Sequence, residues 1–291
     1  MGAAARQITA AAIASFDACP NPRTRELLQS LTAHLHELIA EMRLTRGEWE
    51  RGIEILTQTG EITDEHRQEF ILWSDALGIS MLVDALADER PAEATESTVE
   101  GPFWAEGSPL REYGESIAEQ PDGEPLWVSG RVLAVGGEPL ARAEVDVWQN
   151  GTNRLYAVQN PDSPEEHLRG RFVTRDDGSF AFLAIRPTPY PIPDDGPVGQ
   201  MLASTGRHPW RPAHIHVAVS AGGFERLTTH VFDSASPYLD SDAVFAVKPS
   251  LIKHLVRHDP NDPSRPSGVD GEWSSLEVNF VLAPTRMVTA E

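Results

Sequence analysis

The chain changes its hydrophobic period once, near Pro91, and that change limits its architecture more than any other feature. Before it, Leu28, Leu31, Leu35, Leu38 and Met42 recur every three or four residues, the spacing of one helix face. Thr45 and Glu48 in TRGEWE then stand as a capping box ahead of Trp49, Ile53 and Leu56. A third apolar segment, from about Asp64 to Leu86, carries Phe70, Leu77, Met81 and Leu82, and its Gly78 predicts a break into two helices. After Pro91 the runs LWVSGRVLAV, AEVDVWQ, GSFAFLAI, HIHVAVSA, RLTTHVF and SLEVNFVLA alternate apolar and polar residues between glycine and proline turns. Strands at that spacing predict a sandwich or barrel. The expected fold is α+β, with a helical N-terminal domain over residues 1–100 and a β domain over 101–291.

Composition removes several classes of function. The chain has 24 Lys and Arg against 44 Asp and Glu, a net charge of −20, so nucleic acid and anionic membrane surfaces are disfavoured partners. The single cysteine, Cys19, allows neither an internal disulfide nor a cysteine metal cluster. No apolar run reaches the ~18 residues of a membrane span, so no membrane insertion is expected. The alanine-rich start, with Arg6 as its one early basic residue, makes a poor signal peptide, and a cytoplasmic protein is expected.

Two His-x-His pairs differ in what their surroundings allow. His34 and His36 lie in a helical segment, where residues two apart point about 200° away from each other, so they cannot serve one ligand. His214 and His216 in RPAHIHV lie in a strand, where residues two apart share a face. The second pair can therefore hold one metal ion, although imidazole alone suits zinc, copper, iron and nickel alike.

Further ligands must come from elsewhere, and the nearby aspartates lie mostly at turns, where they have backbone partners of their own. Tyrosine is the remaining hard donor. Of Tyr113, Tyr156, Tyr190 and Tyr238, Tyr156 follows a strand and turn, and Tyr190 sits in the long proline-rich connection leading to the histidines. A phenol ionises near pH ~10 and needs a strongly charged cation to do so at neutrality. Ferric iron matches two phenolates in charge. Taken singly, each tyrosine reads better as a packed aromatic with its hydroxyl satisfied than as a ligand.

The motifs GRHPWRPAHIHVAVSAGGFERLTTHVF, SPYLDSDAVFAVKPSLI, TESTVEGPFW, VDVWQNGTNRLY and PYPIPDDGPVG occur in an order that resembles the intradiol ring-cleaving dioxygenases, from about Asp64 to Ala283. The resemblance implies one Fe(III) per subunit held by Tyr156, Tyr190, His214 and His216, in a β-sandwich catalytic domain. It also implies a homodimer formed through the N-terminal helices, with a phospholipid bound at the dimer interface. An aromatic ortho-diphenol and O2 would be the substrates, Tyr190 the ligand released as the diphenol binds, and Arg211 the cation that stabilises charge on the ring. His230 would stand behind the ligands without touching the iron.

The resemblance also suggests pocket walls from Met81 and Asp84, from Val99, Pro102 and Phe103, and from Val244. Asp84 in GISMLVDAL matches the hydroxyquinol branch, since a carboxylate there would accept a hydrogen bond from a third ring hydroxyl. Glu100 in TVEGPF instead resembles the catechol type. The expected reaction is cleavage of hydroxyquinol by O2 to 3-hydroxy-cis,cis-muconate, the enol form of maleylacetate, with catechol or a substituted catechol as the alternative. A non-catalytic β-sandwich using the two histidines for zinc is the reading from a different class.

Overall fold

A computed structural model describes residues 2–64, 67–120 and 122–285. The chain forms two compact units, Met1–Glu61 and Ile62–Glu291. The first contains α1 (Ala3–Ala14), α2 (Pro22–Met42) and α3 (Arg46–Glu61). Asn21 caps α2 by accepting from the Thr24 amide at 2.9 Å, and Pro22 opens the helix where a missing amide costs nothing. The expected capping box at α3 is present: the Glu48 carboxylate accepts from the Thr45 amide at 2.7 Å, and the Thr45 hydroxyl accepts from the Glu48 amide at 3.3 Å.

α1 is pinned to α2 by polar contacts. Gln29 donates to the Ile13 carbonyl and to Asp17, and Thr9 meets His36 Nδ1 at 2.9 Å. His34 bonds within its own helix to the Ser30 carbonyl, so the two helical histidines do go to different partners. Among the described residues, the leucine stripe of α2 forms no buried core. Leu31, Leu35, Leu38 and Met42 are 48–65% exposed.

The second unit opens with α4 (Glu69–Ala76) and α5 (Ile79–Ala87). Gly78 sits between them at φ 73°, and the axes bend by 72°, so the predicted helix break is real. No single described helix is long and apolar enough to cross a membrane; α4 and α5 together pass on length and composition alone. Leu72, Ala76 and Met81 pack with Ile192, Val198, Phe232 and Val244 of the β region. The texture of the sequence changes near residue 91, but these two helices have their apolar partners in the β region, and the compact units therefore divide between Glu61 and Ile62.

The strands are β1 (Pro125–Ala134), β2 (Glu144–Trp148), β3 (Arg169–Val173), β4 (Ser179–Ile185), β5 (Tyr190–Pro191), β6 (Trp210–Arg211), β7 (His214–Ser220), β8 (Leu227–Asp233), β9 (Ile252–Lys253), β10 (Val256–His258), β11 (Trp273–Glu277) and β12 (Phe280–Leu282). A sixth helix, α6 (Pro197–Ser204), lies between β5 and β6. One sheet is built on β1, which pairs with β4, β11 and β12; the other runs β3-β2-β7-β8-β9. Val128, Phe180, Phe182, Leu276 and Phe280 of the first sheet share one core with Val145, Val147, Ile215, Val217 and Val231 of the second. That shared core is the β-sandwich.

β1 changes partner along its length, from parallel β11 at Leu126–Ser129 to parallel β12 at Val132–Ala134. The crossover falls at Gly130, where a Cβ would lie 1.6 Å from the Val278 carbonyl oxygen. Any side chain there must displace backbone. Gly130→Ala is expected to destabilise the protein by about 3 kcal/mol or more, measured by urea unfolding, whereas an exposed-site alanine would cost far less.

Candidate metal centre

The site sits on the outer face of the second sheet. Along β7, Ile215, Val217 and Val219 point into the sandwich core, so the pleat sends His214, His216 and Ala218 to the other side. The register then sets the neighbours. His216 pairs with Trp148 on β2 and with His230 on β8, so three side chains form a row across three strands. The Trp148 and His216 rings stack at 4.8 Å, and His230 lies 4.2 Å beyond.

The tyrosines arrive from outside the sheet. Tyr156 caps a short 3-10 turn (Ala157–Gln159), its amide donating to Gln159 at 3.1 Å. Tyr190 lies on β5, directly opposite Arg211 on β6. All of these side chains are buried.

Four donor atoms converge. His216 Nε2 lies 2.9 Å from the Tyr156 hydroxyl and 3.2 Å from His214 Nε2. The Tyr156 hydroxyl is 3.3 Å from His214 Nε2 and 3.2 Å from the Tyr190 hydroxyl. Ligands placed about 2 Å from a shared ion are separated by roughly 3 Å, so these spacings fit one metal centre. The tautomers also fit: His214 Nδ1 donates to the Pro212 carbonyl at 2.7 Å, leaving Nε2 as a lone-pair donor. His216 Nδ1 is buried without a protein partner among the described residues, which leaves it the protonated nitrogen when Nε2 ligates.

Electrostatics favour neutral donors until a cation enters. Burial, followed by the nearby Arg211 charge, holds His214 well below the ordinary imidazole range. Burial also depresses His216 and His230, with the neighbouring histidines adding to it. Burial and then Tyr190 push the Tyr156 phenol well above its usual value. A multiply charged ion reverses that preference by stabilising phenolate.

Arg211 is the fixed charge of the site. Burial opposes its ionisation, but Asp242 and the phenols outweigh that and raise its proton affinity. Its Nη1 donates to the Tyr190 hydroxyl at 3.2 Å. His230 is a close neighbour with other partners: Nδ1 meets Thr98 Oγ1, and Nε2 lies 3.4 Å from Arg211 Nη2.

A cavity of about 660 Å3 lies beside the tyrosines, lined by Leu72, Pro102, Phe103, Leu155, Pro191 and Ile192 among others. Phe103 stacks on Tyr156 at 4.7 Å. Met81, Val99 and Val244 belong to the apolar cluster that shares Leu72 and Ile192 with this cavity. Asp84 is engaged elsewhere: it accepts from Ser97 at 2.6 Å and pairs with Lys248 at 3.2 Å. Glu100 pairs with Arg226 at 2.7 Å.

Sequence reasoning missed Asp242, Thr98, Trp148 and Lys248. Asp242 is distinguished by its burial and Lys248 by its pairing with Asp84, and neither is visible in sequence period. Trp148 carried a usable signal, since it continues the outward parity of β2.

Metal loading is expected to raise the melting temperature by roughly 5–10 °C at a hundredfold excess over Kd. His216→Ala should abolish that rise in differential scanning calorimetry.

Comparison with known proteins agrees with this geometry. A family model described as "Dioxygenase" matches residues 99–283, and one described as "Catechol dioxygenase N terminus" matches residues 21–95. A hydroxyquinol 1,2-dioxygenase of Nocardioides simplex is 48% identical over 272 residues, covering 93% of this chain and 92% of the relative. A 6-chlorohydroxyquinol 1,2-dioxygenase of Cupriavidus pinatubonensis is 47% identical, covering 96% and 97%. The crystal structure of a hydroxyquinol 1,2-dioxygenase from Pseudomonas putida superposes with a TM-score of 0.91 at 47% identity, covering 97% and 99%. These likenesses do not favour a non-catalytic zinc module. With its helical N-terminal segment, β-sandwich and buried histidine–tyrosine cluster, the chain belongs to the intradiol ring-cleavage dioxygenases.

Proposed function

We propose that this enzyme binds Fe(III) through Tyr156, Tyr190, His214 and His216 and cleaves hydroxyquinol (1,2,4-trihydroxybenzene) between two adjacent hydroxyl-bearing carbons. Both atoms of O2 enter the product, 3-hydroxy-cis,cis-muconate, which is maleylacetate in its keto form. The observation that carries this reading is the convergence of two phenols and two imidazoles within 2.9–3.3 Å, with Arg211 on one phenol. Two hard anionic donors with two imidazoles favour ferric iron over zinc. Bound ferric iron supplies the charge that favours ionised phenols and draws electron density from a ligated ring towards reaction with O2.

The protein's own groups do the rest. Tyr190 would be the phenol with a second partner in place if it held the ion, and it could accept a proton from the incoming diol while keeping Arg211. Arg211, always protonated and buried, stabilises negative charge on the ring. Phe103 and Pro102 give the ring an apolar wall and keep water away. His214, held in one tautomer by Pro212, cannot drift out of line.

Specificity for the third hydroxyl falls to Asp84. Ser97 and Lys248 each occupy one oxygen, and a carboxylate has further lone pairs on both. The recognition element is thus an Asp84–Lys248 pair rather than a lone carboxylate. Ser97 adjoins Thr98, which reaches His230, and this links the pair to the metal centre. A second copy of the chain is assigned to the exposed leucine face of α2, with a phospholipid acyl chain as its companion.

Iron-loaded protein is expected to absorb in the visible through phenolate-to-iron charge transfer, and to consume O2 with hydroxyquinol faster than with catechol. Asp84→Ala should cut the hydroxyquinol preference by roughly 10- to 100-fold in kcat/KM. An unaltered preference removes Asp84 from recognition; a colourless iron-loaded protein removes the reaction. Leu31→Asp with Leu35→Asp is expected to convert a dimer to a monomer by sedimentation.

A further inference from the structure

We infer that Asp242 is a positioning residue, whose one carboxylate fixes both the direction of the Arg211 guanidinium and the placing of the Val244 wall. This rests on the role given to Arg211 above. Arg211 is 3% exposed and Asp242 6%, so both charges are removed from solvent and each depends on the other. Asp242 Oδ1 accepts from Arg211 Nε at 3.0 Å, and Oδ2 lies 3.4 Å from Nη2. A guanidinium is planar, so holding Nε and Nη2 settles where Nη1 points. It points at the Tyr190 hydroxyl, 3.2 Å away.

The remaining lone pairs of the same carboxylate organise the chain that follows. Oδ1 lies 3.4 Å from the Val244 amide, and Oδ2 accepts from the Ala246 amide at 3.0 Å. Between them Phe245 takes a positive φ of 60°, which turns its ring outward under Arg207 and leaves Val244 facing in, 3% exposed. A shift of Asp242 therefore moves the catalytic cation and an apolar wall together. Neither the strand pairing of Arg211 nor the packing of Val244 requires that coupling.

The test compares Asp242→Asn and Asp242→Glu, each alone and with Arg211→Lys, in iron-loaded full-length protein. Both single variants are expected to keep the visible absorption, because they leave the four donors intact, and to lose kcat about 10- to 100-fold with KM for hydroxyquinol changed less. In the Arg211→Lys background the kcat cost of the same substitutions should fall below about threefold, since lysine has no planar fork for Asp242 to orient, while any change in KM that comes through the Val244 wall persists. If Asp242→Asn fails to fold, Asp242→Glu, which keeps the charge and displaces it by one methylene, carries the test. A readout without iron is available too: the Arg211 Nε–H should exchange slowly in the wild-type protein by NMR and quickly in Asp242→Asn. Wild-type kcat in both variants, equal losses in the two backgrounds, or fast exchange in the wild type would each overturn the inference. Wild-type protein that takes up iron and cleaves no diol refutes the functional reading, and this inference with it.

Discussion

The pleat of β7 is the constraint on which the site depends. Ile215, Val217 and Val219 fill the sandwich core, and His214 and His216 consequently face outward. A slip of one residue would bury two imidazoles among Phe172, Phe182 and Leu276 and expose the isoleucine and valines instead. The apolar core thus fixes the register, and the register fixes the donors. The same argument runs sideways: pairing with β2 and β8 places Trp148 and His230 on either side of His216, which limits the tilt of that ring.

An outward-facing site on a sheet would ordinarily be wet. Here it is roofed by chain that belongs to no strand of that sheet. α4, α5 and α6 and the segment from Asp242 to Leu251 pack their apolar residues on Phe232, at the end of β8. Tyr156 and Tyr190 also come from outside that sheet, in a separate buried cluster with Phe103, Trp148 and Ala218. The roof also explains why α4 and α5 fall in the same compact unit as the β region.

Much of this was legible, and the unread parts share a cause. His214 and His216 could be paired from strand period alone, the Thr45–Glu48 box from its spacing, and the helix break from Gly78. Those are local features, fixed by the geometry of a few consecutive residues. The approach of Tyr156 to Tyr190 joins positions 34 residues apart across two intervening strands, and period says nothing about such long-range pairings. The resemblance to a known family, rather than the pattern, singled out those two tyrosines. Asp84 is a milder case: its position on α5 was readable, but its pairing with Lys248, 164 residues away, was not. The leucine stripe of α2 shows the limit of periodicity most plainly. Period identifies an apolar face but not what covers it, and among the described residues that face is open.

Charge gives the site its direction. Among the described residues of the buried cluster, the fixed cation Arg211 is held by the Asp242 carboxylate, and the buried Asp75 carboxyl lies close enough to interact with both. The rest of the cluster is three imidazoles and two phenols, and burial keeps the imidazoles and Tyr156 neutral. A divalent ion would be charge-balanced by ionising both phenols, leaving no positive charge to share with a ligand. A trivalent ion leaves one unit unbalanced, and an exchangeable anion must then complete the site. The two phenols are not equivalent in that exchange. Tyr156 is enclosed by Phe103, His214, His216 and Tyr190, whereas Tyr190 is the one that faces Arg211. If an ion were held by these four groups, asymmetry of this kind would favour Tyr190 rather than Tyr156 as the donor that gives way.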